Sequence, residues 1–289
     1  MGKAKTYDRT TEDVGNIVSL EHVNLLVPDQ SLATSFYVSG LGLTRDPYLM
    51  TGTDIMWINI GRQQFHLPTR GTQVLRGHTA VVINDFDRLA TRLENQRKTL
   101  KGTKFGYKRE RGRIDATCPW GNRFRCYPAG KRFGDMKHGI PYVCFDVPKG
   151  AADPIKRFYT EIIGAPARLG PFDGAPAAHV CVGPNQEMIF REKPGRQPKY
   201  DGHHIQIYLA DFSGPYHRLL ERGLISLETD QHEYRFVTIV DPDNGKPVFE
   251  VEHEVRSLHH PLYGRPLVNR NPEQRNMTYQ PGADTLRVG

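Results

Sequence analysis

The feature that most restricts what this chain can fold into is a fourfold internal repeat. Four segments open with a strand-like run: LEHVNLLVPD (20–29), RGHTAVVIND (76–85), IPYVCFDVPK (140–149) and GHHIQIYLAD (202–211). Each carries one polar residue at a matching place, namely His22, His78, Tyr142 and His204. A segment with apolar residues at three- and four-residue spacing follows each run, the mark of an amphipathic helix. SFYVSGLG in the first unit matches RFYTEIIG in the third. About three short strands come next. The last of them places a phenylalanine before a variable position: His66, Arg125, Arg191 and Glu250, 44 to 49 residues after the first marker. The repeating unit is therefore β-α-β-β-β, and the fold class is α+β. The simplest organisation is an N-terminal arm (1–17), two units in 18–130, two more in 138–255, and a C-terminal arm (256–289), with the glycine- and charge-rich 130–139 between the halves.

The eight marked positions lie on the first and last strands of the units and would face a shared cavity if those strands curl. Imidazole and carboxylate groups bind divalent metals and guanidinium does not. Units one and four offer His22, His66, His204 and Glu250, while units two and three offer His78, Arg125, Tyr142 and Arg191. If the outer units face each other, three histidines and one glutamate converge with coordination positions left for a substrate. If neighbours pair instead, neither cavity has a complete set. The segregation of good ligands into the outer units favours outer pairing. Arg125 and Arg191 suit either a packed, metal-free inner cavity or an anion pocket. His203 and His253 alternate away from the ligand face and belong behind it.

Composition narrows the classes of function. The 289 residues carry a net charge of +7, but the basic residues are dispersed and no nucleic-acid-binding signature accompanies them. No apolar run is long enough for a membrane helix, and the first residues lack the apolar stretch of a secretory signal. The four cysteines, Cys118, Cys126, Cys144 and Cys181, form no C-x-x-C pair and read as buried free thiols. A cytoplasmic protein acting on a small, anionic or aromatic molecule, as monomer or homodimer, is the expectation.

Four segments in register, EHVNLLVPDQSLATSFYVSGLGL, WINIGRQQFHL, GHHIQIYLADF and DPDNGKPVFEVEHE, resemble the vicinal oxygen chelate superfamily over roughly residues 18–255. That group includes glyoxalase I, methylmalonyl-CoA epimerase, extradiol dioxygenases and bleomycin-resistance proteins. The resemblance implies four modules forming two half-open β-barrels (glyoxalase-like), with one metal held by His22, His66, His204 and Glu250. The donor set admits iron, manganese, zinc, nickel or cobalt. The implied chemistry is chelation of two neighbouring substrate oxygens and stabilisation of an enolate, as in a lyase or isomerase, with Glu250 or Glu252 as the base. A dioxygenase using ferrous iron is the alternative, although unit three has Tyr142 where four-unit ring-cleaving members keep a histidine. A non-catalytic, resistance-type binder is the third reading. The C-terminal arm has no clear periodicity and carries His259, His260 and Tyr263, which would approach a substrate if the arm covers a barrel mouth.

Overall fold

The computed structural model describes residues 6–49, 52, 54–271 and 274–281. Unit one consists of β1 (Ile17–Asn24), α1 (Gln30–Ala33), β2 (Thr44–Arg45), β3 (Ile55–Ile60) and β4 (Gln63–Pro68). Unit two has β5 (Gly77–Val82), α2 (Leu89–Asn95), β6 (Gly106–Glu110), β7 (Arg113–Thr117) and β8 (Arg123–Tyr127). In unit three these are β9 (Tyr142–Val147), α3 (Ala152–Arg157), β10 (Ala167–Phe172), β11 (Ala175–Cys181) and β12 (Glu187–Glu192). Unit four has β13 (His204–Leu209), α4 (Ser213–Leu220), β14 (Ile225–Asp230), β15 (Glu233–Val240) and β16 (Pro247–Ser257).

Among the described residues the strands form two eight-stranded sheets. One runs β14-β15-β16-β13-β1-β4-β3-β2 and the other β10-β11-β12-β9-β5-β8-β7-β6. Neither closes into a full barrel, since the outermost strands of each do not pair. The outer units thus share one sheet and the inner units the other. The halves 18–130 and 138–255 are repeats in sequence, yet neither builds a sheet by itself. At the centre of the outer sheet β1 and β13 run antiparallel, with His22 opposite Gln206 and Asn24 opposite His204. At the centre of the inner sheet Gly77 of β5 faces Phe145 of β9. Gly77 has φ +155°, and a Cβ there would lie 1.7 Å from the Cys144 carbonyl oxygen, so only glycine allows this approach.

The helices fill the layer between the sheets. α1 and α3 each continue into a π-helical stretch, Thr34–Gly40 and Phe158–Ile163. These stretches carry the matching Phe36-Tyr37 and Phe158-Tyr159 pairs, all four fully buried. Tyr37 packs on Phe65 of the outer sheet and Phe124 of the inner one, with ring centroids 5.3 and 5.7 Å away. Phe249 likewise meets Phe145 and Phe190 across the layer. Because side chains alternate along a strand, each sheet has a helix face that supplies this core and an open face left for function. All four cysteines are free thiols. No described helix is long and apolar enough to cross a membrane.

Candidate metal centre on the open face of the outer sheet

Antiparallel pairing of β1 and β13 sets His22 and His204 diagonally across the middle of the sheet. β4 joins β1 in parallel with His66 opposite Asn24, which brings a third imidazole to the same face. One ring nitrogen from each of His22, His66 and His204 lies within 4.8 Å of the others. The Nε2 atoms of all three are buried with no hydrogen-bond partner among the described residues. Leaving three imidazole nitrogens desolvated and unpaired is costly unless something binds them. Burial is the leading cause that holds His22 and His66 neutral, the latter lowered to about 2. Neutral imidazole is the form that ligates a metal, so these residues fit a divalent ion.

The structure does not bring Glu250 into this group. Glu250 is exposed and pairs with Thr238 on β15, beyond the end of the β13 register, and its carbonyl oxygen accepts from Arg76. Four residues further along, Glu254 faces Gln206 just as His66 faces Asn24, so Glu254 is the counterpart of His66. Its Oε2 lies 3.2 Å from His204 Nε2 and 3.9 Å from His22 Nε2. The 3.2 Å approach is not aligned as a hydrogen bond, so the His204 nitrogen stays free for another partner. Four residues of strand span about 13 Å, too far for one ion to engage both glutamates. The sequence comparison slips because β16 is 11 residues long and β4 only 6, and a phenylalanine precedes both Glu250 and His66. In unit three the register makes Ile189, not Arg191, the matching position.

Glu254 is buried between two arginines. Arg256 Nη2 lies 2.5 Å from its Oε1 and Arg235 Nη2 2.6 Å from its Oε2. Burial alone would raise its pKa, but the guanidinium charges of Arg256 and Arg235 beside it outweigh burial and hold the carboxyl below the usual range. Glu252 accepts from Arg235 at 2.6 Å and lies 3.8 Å from His204 Nδ1. Glu21 sits where β1 bulges, with Oε2 3.4 Å from His22 Nδ1 and 3.5 Å from Arg256. Burial, only partly countered by Arg256, raises its carboxyl to about 7.

Trp57, opposite His66 on β3, stacks flat on it at 3.8 Å between centroids and meets His22 edge-on at 5.1 Å. His203 and His253 turn to the helix face. His203 hydrogen-bonds Asp201 at 2.6 Å, and Tyr159 Oη donates to His253 Nε2 at 2.6 Å.

The C-terminal arm docks across the open face. Tyr263 packs on Tyr208 at 4.8 Å, with His260 at 6.4 Å. Arg265 pairs with the fully buried Asp46 at 2.8 Å, and Asn269 exchanges two hydrogen bonds with the Gly61 backbone. The arm roofs a cleft of about 680 Å³ that Glu21, Gln63, Tyr208, Tyr263 and Arg265 help to line.

Two sheets built from four βαβββ units, with ligand-type side chains on the first and last strands of the outer pair, make a glyoxalase-like fold. Among solved structures, the chain is similar to glyoxalase I from Zea mays, at 14% identity over 83% of this chain and 92% of that one, with a TM-score of 0.57. A provisionally assigned dioxygenase from Bacillus subtilis superposes at 14% identity over 87% and 91%, with a TM-score of 0.54. The cppA protein from Streptococcus pneumoniae does so at 10% identity over 85% and 100%, with a TM-score of 0.50. No family model and no curated protein sequence matches the chain.

Proposed function

We propose that the chain is a divalent-metal-dependent enzyme of the isomerase or lyase type, acting on a small substrate with two neighbouring oxygens. The observation that carries this reading is the group of three desolvated, unpartnered imidazole nitrogens with an ionised glutamate beside it. His22, His66, His204 and Glu254 would hold the ion. Held there, the ion would supply Lewis-acid chemistry, polarising a substrate carbonyl and stabilising charge on its oxygen. The chain's own residues supply the rest. Arg235 and Arg256 keep Glu254 ionised and oriented. Trp57 fixes the plane of the His66 ring. Glu21, between His22 and the roofed cleft, is placed to take and return a proton, with the Tyr208 hydroxyl 3.4 Å away to orient it. Glu252, held by Arg235, orients its neighbours instead, and Glu250 has no part in the reaction.

The test is metal analysis of the native protein followed by activity screening. One equivalent of a transition metal, lost in His204→Ala, together with proton exchange or elimination on 2-oxygenated carbonyl compounds, supports the reading. Metal-free native protein that stays metal-free after incubation with excess divalent ions would overturn it. A dioxygenase is the second reading, because two histidines and Glu254 also compose a facial triad for ferrous iron. Oxygen consumption with catechols under ferrous iron separates the two.

A further inference from the structure

The open face of the inner sheet gathers cations where the outer sheet gathers imidazoles. Lys108 of β6 faces Asp115 of β7, and Asp115 faces Arg125 of β8. Thr117 faces Arg123, two residues along the same strands, and Arg191 of β12 faces Asp146 of β9. His78 of β5 lies opposite Cys144, two residues before Asp146. Side chains alternate along a strand, so all of these stand on one face. Lys108, Asp115, Thr117, Arg123, Arg125, Arg191 and His78 border a cavity of about 420 Å³. A water molecule takes up roughly 30 Å³ of liquid, so a small polyatomic anion has ample room.

Cations outnumber carboxylates in this network. Asp115 is held on both oxygens by Arg113, at 2.7 and 3.1 Å. Asp173 is shared by Arg125 and Arg191, and Asp146 by Arg191, Arg123 and Lys193. Lys108 pairs with Glu110 at 2.7 Å on the surface, where such a pair has little energetic weight. Six cations thus meet four carboxylates, an excess of two positive charges. Two donors on the cavity wall are uncommitted among the described residues. Arg123 gives Nε to the Gly77 carbonyl oxygen at 3.0 Å and Nη2 to Asp146, which leaves its Nη1. His78 is 5% exposed, and its Nε2 is buried without a partner. Burial, and after it Arg125 and Arg191, lower that ring to about 3, so it is neutral. A neutral imidazole can carry its proton on Nε2 and donate it to an anion oxygen. A buried polar atom bordering an open cavity calls for a ligand atom.

We infer that this cavity, as it stands, is an anion site for a phosphoryl group, free or carried by a small ester. Lys108, Arg123 and His78 supply donors from three strands. Arg125 and Arg191 stay on Asp173 and add their field, so no ion pair has to open except the surface one of Lys108. A phosphoryl dianion matches the two excess charges, and its tetrahedral oxygens reach donors on several sides. A carboxylate brings one charge and two oxygens in one plane. The site is separate from the metal centre, since the outer sheet contributes none of these residues.

The test is calorimetric titration of the full chain, in phosphate-free buffer, with inorganic phosphate, glycerol 3-phosphate and acetate. Wild type, Arg123→Gln, His78→Phe, Lys246→Gln and His204→Ala are compared, with thermal melting as the folding control. Wild type should bind one equivalent of a phosphoryl ligand, and the tighter of the two identifies the source, free ion or ester. Arg123→Gln and His78→Phe should each bind it at least tenfold more weakly. Lys246→Gln removes one charge from the β15–β16 turn of the outer sheet and should stay within twofold, as should His204→Ala. No heat with either phosphoryl ligand, or equal weakening by Lys246→Gln and Arg123→Gln, overturns the proposal. Loss of binding in His204→Ala would put the anion at the metal centre and overturns it too. Acetate binding as tight as phosphate overturns the phosphoryl assignment.

Discussion

Trp57 lies flat on His66, centroids 3.8 Å apart and planes 9° from parallel, so the orientation of one imidazole is set by an indole on the neighbouring strand. Residues that orient a metal ligand commonly contribute 10–100-fold to metal affinity. Trp57→Leu should therefore weaken metal binding by about that factor while keeping the fold. Competition titration against a chromophoric chelator reads this directly. An affinity equal to wild type would show that the stack is packing only.

The glutamates of β16 can be told apart by substitution. Glu250→Gln should leave metal stoichiometry and affinity within twofold. Glu254→Gln should release the metal and also destabilise the fold, because Arg235 and Arg256 lose their shared buried partner. Breaking a buried ion pair from one side costs about 3–5 kcal/mol. Metal content and urea denaturation of both variants decide the matter, and metal loss in Glu250→Gln alone would restore the sequence-based assignment.

Asn269 clamps the C-terminal arm through two hydrogen bonds to the Gly61 backbone, and it is 1% exposed. Asn269→Ala leaves a buried N–H and C=O unpaired, and the expected loss is about 2 kcal/mol. Limited proteolysis should then cut the arm faster than in wild type.

His138, in the segment between the repeat halves, is lowered to about 4 chiefly by burial. The unfolded chain takes up a proton near pH 6.5 while the folded one does not until about pH 4, so this group withdraws stability as pH falls through that window. Between pH 7 and pH 5 wild type should lose about 2 kcal/mol more than His138→Gln. Equal losses in chemical denaturation at the two pH values would refute this.

Much of this was legible in the sequence. The repeat gave the four units, and the uneven distribution of imidazole and guanidinium gave the pairing of outer with outer. His22, His66 and His204 were visible because each lies on the first or last strand of its unit at a repeated place. Glu254 was not, because the offset between first and last strand is set by hairpin lengths and by the overhang of β16, neither of which a tripeptide match can see. Period-two alternation put Glu250, Glu252 and Glu254 on one face, and only pairing with β13 chooses among them. Trp57, Arg235 and Arg256 act through cross-strand contact, which leaves no trace in local spacing. The arm seemed featureless because its order comes from partners more than 200 residues away, such as Asp46 and Gly61.

The junction of β1 with β13 has a consequence for how the molecule comes into being. His22 leaves the ribosome early, yet its neighbour Asn24 must wait for His204 to emerge before the sheet between them can close. Closing so large a loop is slow. Nascent chains that stop near residue 130 hold two of the three imidazoles, so biosynthesis completes the histidine cluster only once the last repeat has threaded home.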